Sequence, residues 1–258
     1  MVRFQIEIVQ STPLLGSAPD PAAAFERIWE MIPKDRPKRL WKFMPEEGLF
    51  IKGRTAQVNF SRKNFVRSRR ITTEVRALHA FAERGLPVPE IVAWGTEHQA
   101  GLATRSFLIL RLFDGVVDLE RYLLDDVDAD RAGRRRAVFV KVGQLIRQLH
   151  EAGCIHRDLS DRNILVHLDG DEPVVRLIDC PHGRFGFSKS RMARVRREDI
   201  FRITRSVLRA GATEQEIIAM LEAAAVDRVG AAIRIARTSL ETGVDRSYRR
   251  RLWLMTGR

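Results

Sequence analysis

The sequence predicts an α+β chain of two lobes: a strand-rich N-terminal lobe over residues 1–112 and a helical C-terminal lobe over residues 113–258. Three observations predict it. Up to about residue 112 the apolar residues fall in short runs bounded by Gly and Pro, with few helical stripes among them. Beyond that point apolar residues recur mainly at three- and four-residue spacing. A polar loop, His156 to Asn163, lies between one such stripe and a pair of short strands. A site between the lobes is the arrangement this order favours.

Each element has a local cause. In the short N-terminal extension, Pro21 to Ile32 reads as a helix, ended by Pro33. Lys38 to Gly53 reads as a hairpin, two apolar-rich strands around the turn Pro45-Glu46-Glu47-Gly48. Ile71, Val75, Leu78 and Phe81 or Ala82 mark one face of a helix, which Gly85 caps and Pro87 prevents from continuing. Ile91 to Trp94 and Phe107 to Leu112 read as strands, the second nearly all apolar and so buried. In the second half, Val138, Val142, Leu145 and Leu149 share a helix face closed by Gly153. The strands Ile164 to Leu168 and Val174 to Ile178 are joined by the turn signal Asp169-Gly170-Asp171. Helical patterns follow over Ile200 to Leu208 and Thr213 to Ala224, where Thr213 and Glu216 have capping-box spacing.

Composition excludes several classes. With 45% hydrophobic residues the chain can fill a core, so it is neither a disordered tail nor a fibre. The two cysteines, Cys154 and Cys180, have no Cys-x-x-Cys spacing, which excludes a disulfide scaffold or a cysteine zinc site and fits a reducing compartment. Gln5 and Glu7 interrupt the N-terminal apolar stretch, so no signal-peptide core is present. No run approaches the roughly 18 apolar residues of a membrane span. A cytoplasmic location is expected. The net charge of +12 calls for an anionic partner, and Arg residues cluster at 67–70, 134–136, 191–197 and 246–251. No zinc-finger, basic-zipper or RNA-recognition signature accompanies them, so nucleic acid is not the expected partner. Metalloprotease spacing and a Gly-x-Ser-x-Gly elbow are absent as well.

The chemistry is concentrated in His156-Arg157-Asp158-Leu159-Ser160-Asp161-Arg162-Asn163. It fits the catalytic-loop pattern His-Arg-Asp-Leu-x-x-x-Asn of protein kinases. A chance match in a chain of this length is on the order of one in ten thousand. Asp179 follows 179 − 158 = 21 positions on, at the end of the second short strand, where a kinase places a metal-binding Asp. Phosphoryl transfer needs positioning and charge neutralisation more than covalent help. Asp158 can accept the proton of an acceptor hydroxyl, and Asn163 and Asp179 offer hard oxygens to Mg2+ bridging the phosphates of ATP. Two further demands are met in the first half. Lys52 sits on a strand, to hold the nucleotide phosphates, and Glu74 sits on the next helix, to orient Lys52. Taken singly, each would be read as a surface residue.

The segments around Lys52, Thr73-Glu74-Val75-Arg76-Ala77-Leu78, Gly85-Leu86-Pro87-Val88-Pro89-Glu90, the catalytic loop and Leu177-Ile178-Asp179 resemble the lipopolysaccharide core kinases, the heptose and Kdo kinases of bacterial inner-core assembly. The resemblance runs from about Ala22 to the C-terminus. It implies a bilobal protein-kinase-like fold and ATP-dependent phosphorylation of a sugar hydroxyl on a lipid-linked anionic glycan, the lipopolysaccharide core. It also implies that Asp199 buttresses the catalytic loop. Adenine is expected against the backbone from Leu110 to Phe113, the connection between lobes.

The chain departs from the protein-kinase pattern in ways that bear on the acceptor. No Gly-x-Gly-x-x-Gly precedes Lys52, so the phosphates must be covered differently. Cys180-Pro181 follows Asp179, and no Ala-Pro-Glu follows, so the peptide-docking platform is missing and a small or lipid-linked acceptor is favoured. Arg162, next to Asn163, is expected to offset charge on the transferring phosphoryl group. Tyr248, Leu252 and Trp253 beside Arg249 to Arg251 form either a peripheral anchor on an anionic membrane surface or a last helix packed in the core. Two rivals stay open: a kinase for a protein or small-metabolite hydroxyl, and a non-catalytic nucleotide-binding scaffold.

Overall fold

The computed structural model describes residues 2–9, 20–33, 40–55, 70–125, 131–168 and 172–242. They fall into two compact units, the first drawn from residues 1–79 and 89–114, the second from 80–88 and 115–258. The turn Asp169-Gly170-Asp171, the Arg residues at 67, 69 and 246, and the basic-aromatic segment around Tyr248, Leu252 and Trp253 lie outside the described residues.

The first unit is a five-stranded antiparallel sheet in the order β1-β4-β5-β3-β2. The strands are β1 (Val2–Ile8), β2 (Trp41–Met44), β3 (Leu49–Thr55), β4 (Ile91–Gln99) and β5 (Leu102–Arg111). Helix α1 (Pro21–Met31) starts where the Asp20 side chain accepts the N–H groups of Ala22 and Ala23, with Pro21 in the first turn, where its missing N–H costs nothing. Its Phe25, Ile28 and Trp29 pack with Ile51, Val92, Phe107 and Ile109 of the sheet. Each fully buried side chain of this kind contributes about 1.5–3 kcal/mol. Ile51 faces this core, so by strand alternation Lys52 faces the other way. A Cβ at Gly95 would lie 2.5 Å from the Phe107 ring, so only glycine lets that ring reach the sheet.

Strands β4 and β5 run further than their apolar runs suggest. Ala100 (φ 50°) and Gly101 (φ 79°) make a tight left-handed turn between them. The polar residues beside it satisfy one another, with Arg105 bonded to both Glu97 and Glu26. Helix α2 (Arg70–Ala82) buries Ile71, Val75, Leu78 and Phe81, the face expected from spacing.

The second unit holds β6 (Val116–Asp118), β7 (Ile164–His167) and β8 (Val174–Leu177) in one antiparallel sheet. Its helices are α3 (Leu119–Leu124), α4 (Arg131–Glu151), α5 (Lys189–Arg209), α6 (Glu214–Ala223) and α7 (Val229–Thr242). Val138, Phe139, Val142, Leu145, Ile146 and Leu149 of α4 are buried, as are Ile217, Met220 and Leu221 of α6. At Gly143 a Cβ would meet the Met220 carbonyl at 2.2 Å, so glycine sets how closely α4 and α6 approach. The capping box of Thr213 and Glu216 opens α6 as the spacing predicts. Helix α5 begins eleven residues before Ile200, because Ser188 caps it ahead of a charged stretch with few apolar markers. Among the described residues no helix is long and apolar enough to cross a membrane.

Candidate active site

Helix α5 supplies the anchor of the loop after α4. Asp199, fully buried, accepts the backbone N–H of His156 at 2.9 Å and of Arg157 at 2.7 Å, and lies 3.3 Å from Nε2 of His150. Burial alone would push its carboxyl up. The hydrogen bond from His150, the fields of His150 and His156, and the His156 amide together hold it below the usual carboxylate range. Arg157 adopts φ 64°, a left-handed backbone that costs a non-glycine residue roughly 1–2 kcal/mol. The two Asp199 oxygens over-determine that conformation and so keep it.

From there the loop is interlocked with the strand hairpin. The His156 ring donates through Nε2 to the Ile178 carbonyl at 3.0 Å, and Ile178 N–H donates to the Asn163 carbonyl at 3.0 Å. The Asn163 side-chain amide donates to the Asp158 carbonyl at 2.7 Å. Asp158, Asn163 and Asp179 thus stand on adjoining segments tied directly to one another. Asp179 itself has φ 56°, a second left-handed non-glycine residue next to the bonded Ile178. Leu177 N–H donates to the Pro87 carbonyl at 2.9 Å, which ties the segment after α2 to β8.

This donor set suits a magnesium ion shared with phosphates. The Asn163 amide nitrogen is committed to Asp158, which leaves Oδ1 as the end to offer a cation. Among the described residues no three His, Cys, Asp or Glu side chains form a metal-ligand cluster. Mg2+ held through nucleotide phosphates needs only one or two protein oxygens, since it keeps its remaining shell from water and phosphate.

In the first unit, Lys52 on β3 and Glu74 on α2 meet at 2.8 Å, both buried. Truncating one member of a buried pair takes the nearest counter-charge from the other. Glu74→Ala is therefore expected to lower stability by about 3–5 kcal/mol, read from urea denaturation; a loss below about 1 kcal/mol contradicts the buried pair. Leu110 lies on β5, opposite Phe50 and Ile91. The N–H groups of Arg111 and Leu112 donate to Glu90 and Gly48, so those two donors are used within the unit. Phe113 is half-buried where the first unit ends.

Arg162 is not brought into this arrangement as a free cation. Its guanidinium pairs with both oxygens of Glu120 on α3, at 2.5 and 2.8 Å, and is largely exposed. That hydrogen bond holds the Glu120 carboxyl below its usual range. Geometry favours a tie between α3 and the loop over a counter-charge for the phosphoryl group. Arg162→Ala is expected to keep kcat within about threefold, as for an exposed pair. A fall of roughly a hundredfold at saturating substrates would restore the counter-charge role.

Sequence reasoning did not single out Glu120 or Arg202. Arg202 of α5 reaches Asp158 Oδ1 at 3.3 Å and Glu198 at 3.2 Å. The Glu198–Arg202 spacing of four is a readable helical signal. The bond to Asp158 spans 44 residues and leaves no local trace.

A family model described as the lipopolysaccharide kinase (Kdo/WaaP) family matches residues 46–223. The lipopolysaccharide core heptose(I) kinase WaaP of Escherichia coli (strain K12) is 26% identical over 149 residues, 56% of this chain and 56% of that protein. The match thus spans about half the length of that curated relative. A solved structure, WaaP in complex with acyl carrier protein, resembles this chain with a TM-score of 0.63 at 21% identity, covering 95% of this chain and 98% of that one. That likeness gives the fold, the protein-kinase-like α+β fold expected from the sequence.

Proposed function

Because the chain belongs to the lipopolysaccharide kinase (Kdo/WaaP) family, we propose that it transfers the γ-phosphoryl group of ATP to a sugar hydroxyl, of heptose or Kdo, in the lipopolysaccharide inner core. The observation that carries this reading is the interlock of Asp158, Asn163 and Asp179, pinned through Asp199 and His156. A scaffold that only binds nucleotide has no need to pin an exposed carboxylate beside two cation-binding oxygens at the expense of two strained backbones.

In the proposed mechanism Asn163 and Asp179 hold Mg2+, and Lys52, aimed by Glu74, pairs with the nucleotide phosphates. When bound, the cation supplies neutralisation of the charge carried by the transferring phosphates. Asp158 accepts the proton of the attacking hydroxyl, and Arg202 steadies its carboxylate at 3.3 Å. Backbone groups between Leu110 and Phe113 are the proposed contacts for adenine. The acceptor is a lipid-linked anionic glycan, reached at the cytoplasmic face of the membrane, where a chain of net charge +12 is drawn to anionic headgroups.

Acceptor profiling with labelled ATP and Mg2+ tests the reading. Transfer to core oligosaccharide, and not to casein-type proteins or small metabolites, is the expected result. Label on protein, with none on the glycan, would select the protein-kinase rival.

A further inference from the structure

Arg202, Arg205 and Arg209 stand three and four residues apart on one face of α5, beside the catalytic loop. With Asp158, Ser160 and Phe201 they line a cavity of about 130 Å³. Asp158 is its one carboxylate against three guanidiniums, so the lining carries a surplus of positive charge. Two of the cations have protein partners. Arg202 pairs with Asp158 and Glu198, and Arg209 reaches Glu120 at 3.6 Å. Among the described residues Arg205 pairs with no carboxylate, and its Nε is buried without a hydrogen-bond partner.

A desolvated guanidinium nitrogen with no acceptor is unfavourable, and folding gains nothing from leaving it so. The planar fork of Arg matches the paired oxygens of a phosphate or carboxylate. Such a group entering this cavity would pair with the Arg205 guanidinium, which meets no carboxylate among the described residues, and in the same place lie beside Asp158. We propose that the cavity is an acceptor subsite for an acidic substituent, phosphate or carboxylate, carried near the reacting hydroxyl, with Arg205 as the residue that reads it. The inference rests on the sugar-kinase reading of Asp158 and adds to it a selectivity for acidic over neutral acceptors.

The test measures binding of delipidated core oligosaccharide by titration calorimetry, before and after carboxyl reduction and dephosphorylation, to the full chain and to its Arg205→Gln and Arg205→Lys variants. The full chain is expected to prefer the acidic glycan by roughly ten- to a hundred-fold, the range of a charge-assisted hydrogen bond. Arg205→Gln loses that preference and Arg205→Lys recovers part of it, while neither lowers the thermal midpoint, since among the described residues Arg205 pairs with no carboxylate. Equal binding of both glycans by the full chain, or an undiminished preference in Arg205→Gln, overturns the subsite. Weakened binding of ATP with Mg2+ in Arg205→Gln, with glycan binding unchanged, assigns the cavity to the nucleotide and overturns it equally. Phosphoryl transfer measured in parallel separates the two readings. Transfer to the glycan without any dependence of binding on Arg205 removes the subsite alone. Binding that depends on Arg205 without transfer to any sugar removes the kinase reading and leaves the subsite standing.

Discussion

Asp158→Asn is expected to lower kcat by roughly a hundred- to ten-thousand-fold, the span of general-base catalysis, with little change in the affinity for ATP and Mg2+. An amide keeps the shape of the carboxylate and one acceptor oxygen. It cannot take a proton at neutral pH. The Asp158 carbonyl, not its carboxylate, holds the Asn163 amide, so the oxygens proposed to hold the cation keep their orientation in the variant. Arg202 loses part of its charge pairing but retains Glu198. Single-turnover kinetics alongside calorimetric titration of the nucleotide separate the two effects. A kcat within about threefold of the unaltered chain would remove Asp158 from proton transfer.

Asp199→Ala is expected to cost about 3–5 kcal/mol of stability and most of the activity together. The carboxylate is fully buried and serves two backbone N–H groups and His150. Its removal leaves those donors without an acceptor and releases the left-handed Arg157, one residue before the candidate base. The pH dependence has a definite sign. A carboxyl held below its ordinary value stabilises the fold fully above about pH 3.9, and the contribution is lost as pH falls through the folded value. Acid unfolding should therefore begin at higher pH in Asp199→Ala than in the unaltered chain, as followed by circular dichroism. A loss of less than about 1 kcal/mol in urea, or coincident acid transitions, would contradict the anchoring role.

The candidate site residues that sequence reading reaches are those with a local rule. Asp158, Asn163 and Asp179 occupy fixed spacings around two short strands, so pattern and chemistry agree within 22 residues. Lys52 and Glu74 are 22 residues apart, yet each is placed by its own element, a strand and a helix, and only their joint presence is informative. Arg202, Arg205 and Glu120 have no such rule. Arg202 and Glu120 meet the loop through contacts some forty residues long, Arg205 only lines the cavity beside it, and in sequence all three are ordinary charges on helices.

The fold divides along the same line. The apolar faces of α2 and α4 declare themselves by spacing. β1 alternates strictly, Val2, Phe4, Ile6 and Ile8 against exposed Arg3, Gln5 and Glu7, with Phe4 and Ile6 packed on the core, so its period is there to read although no strand is expected at 2–8. β6 and α3 are too short for periodicity to count, and α7 buries a narrow set, Ile233, Ile235, Ala236 and Ser239. The polar ends of β4 and β5 hide a hairpin whose Arg105 is tied to Glu97 across the pair and to Glu26 of α1.

The most direct measurement is a diffraction structure of the chain grown with Mg2+ and a non-hydrolysable ATP analogue. The expected result is the cation against Asn163 Oδ1 and the Asp179 carboxylate, Lys52 Nζ on the phosphates, and the Asp158 carboxylate open toward the far side of the terminal phosphoryl group. A nucleotide bound away from Asn163 and Asp179, or a cation held by other residues, would contradict it.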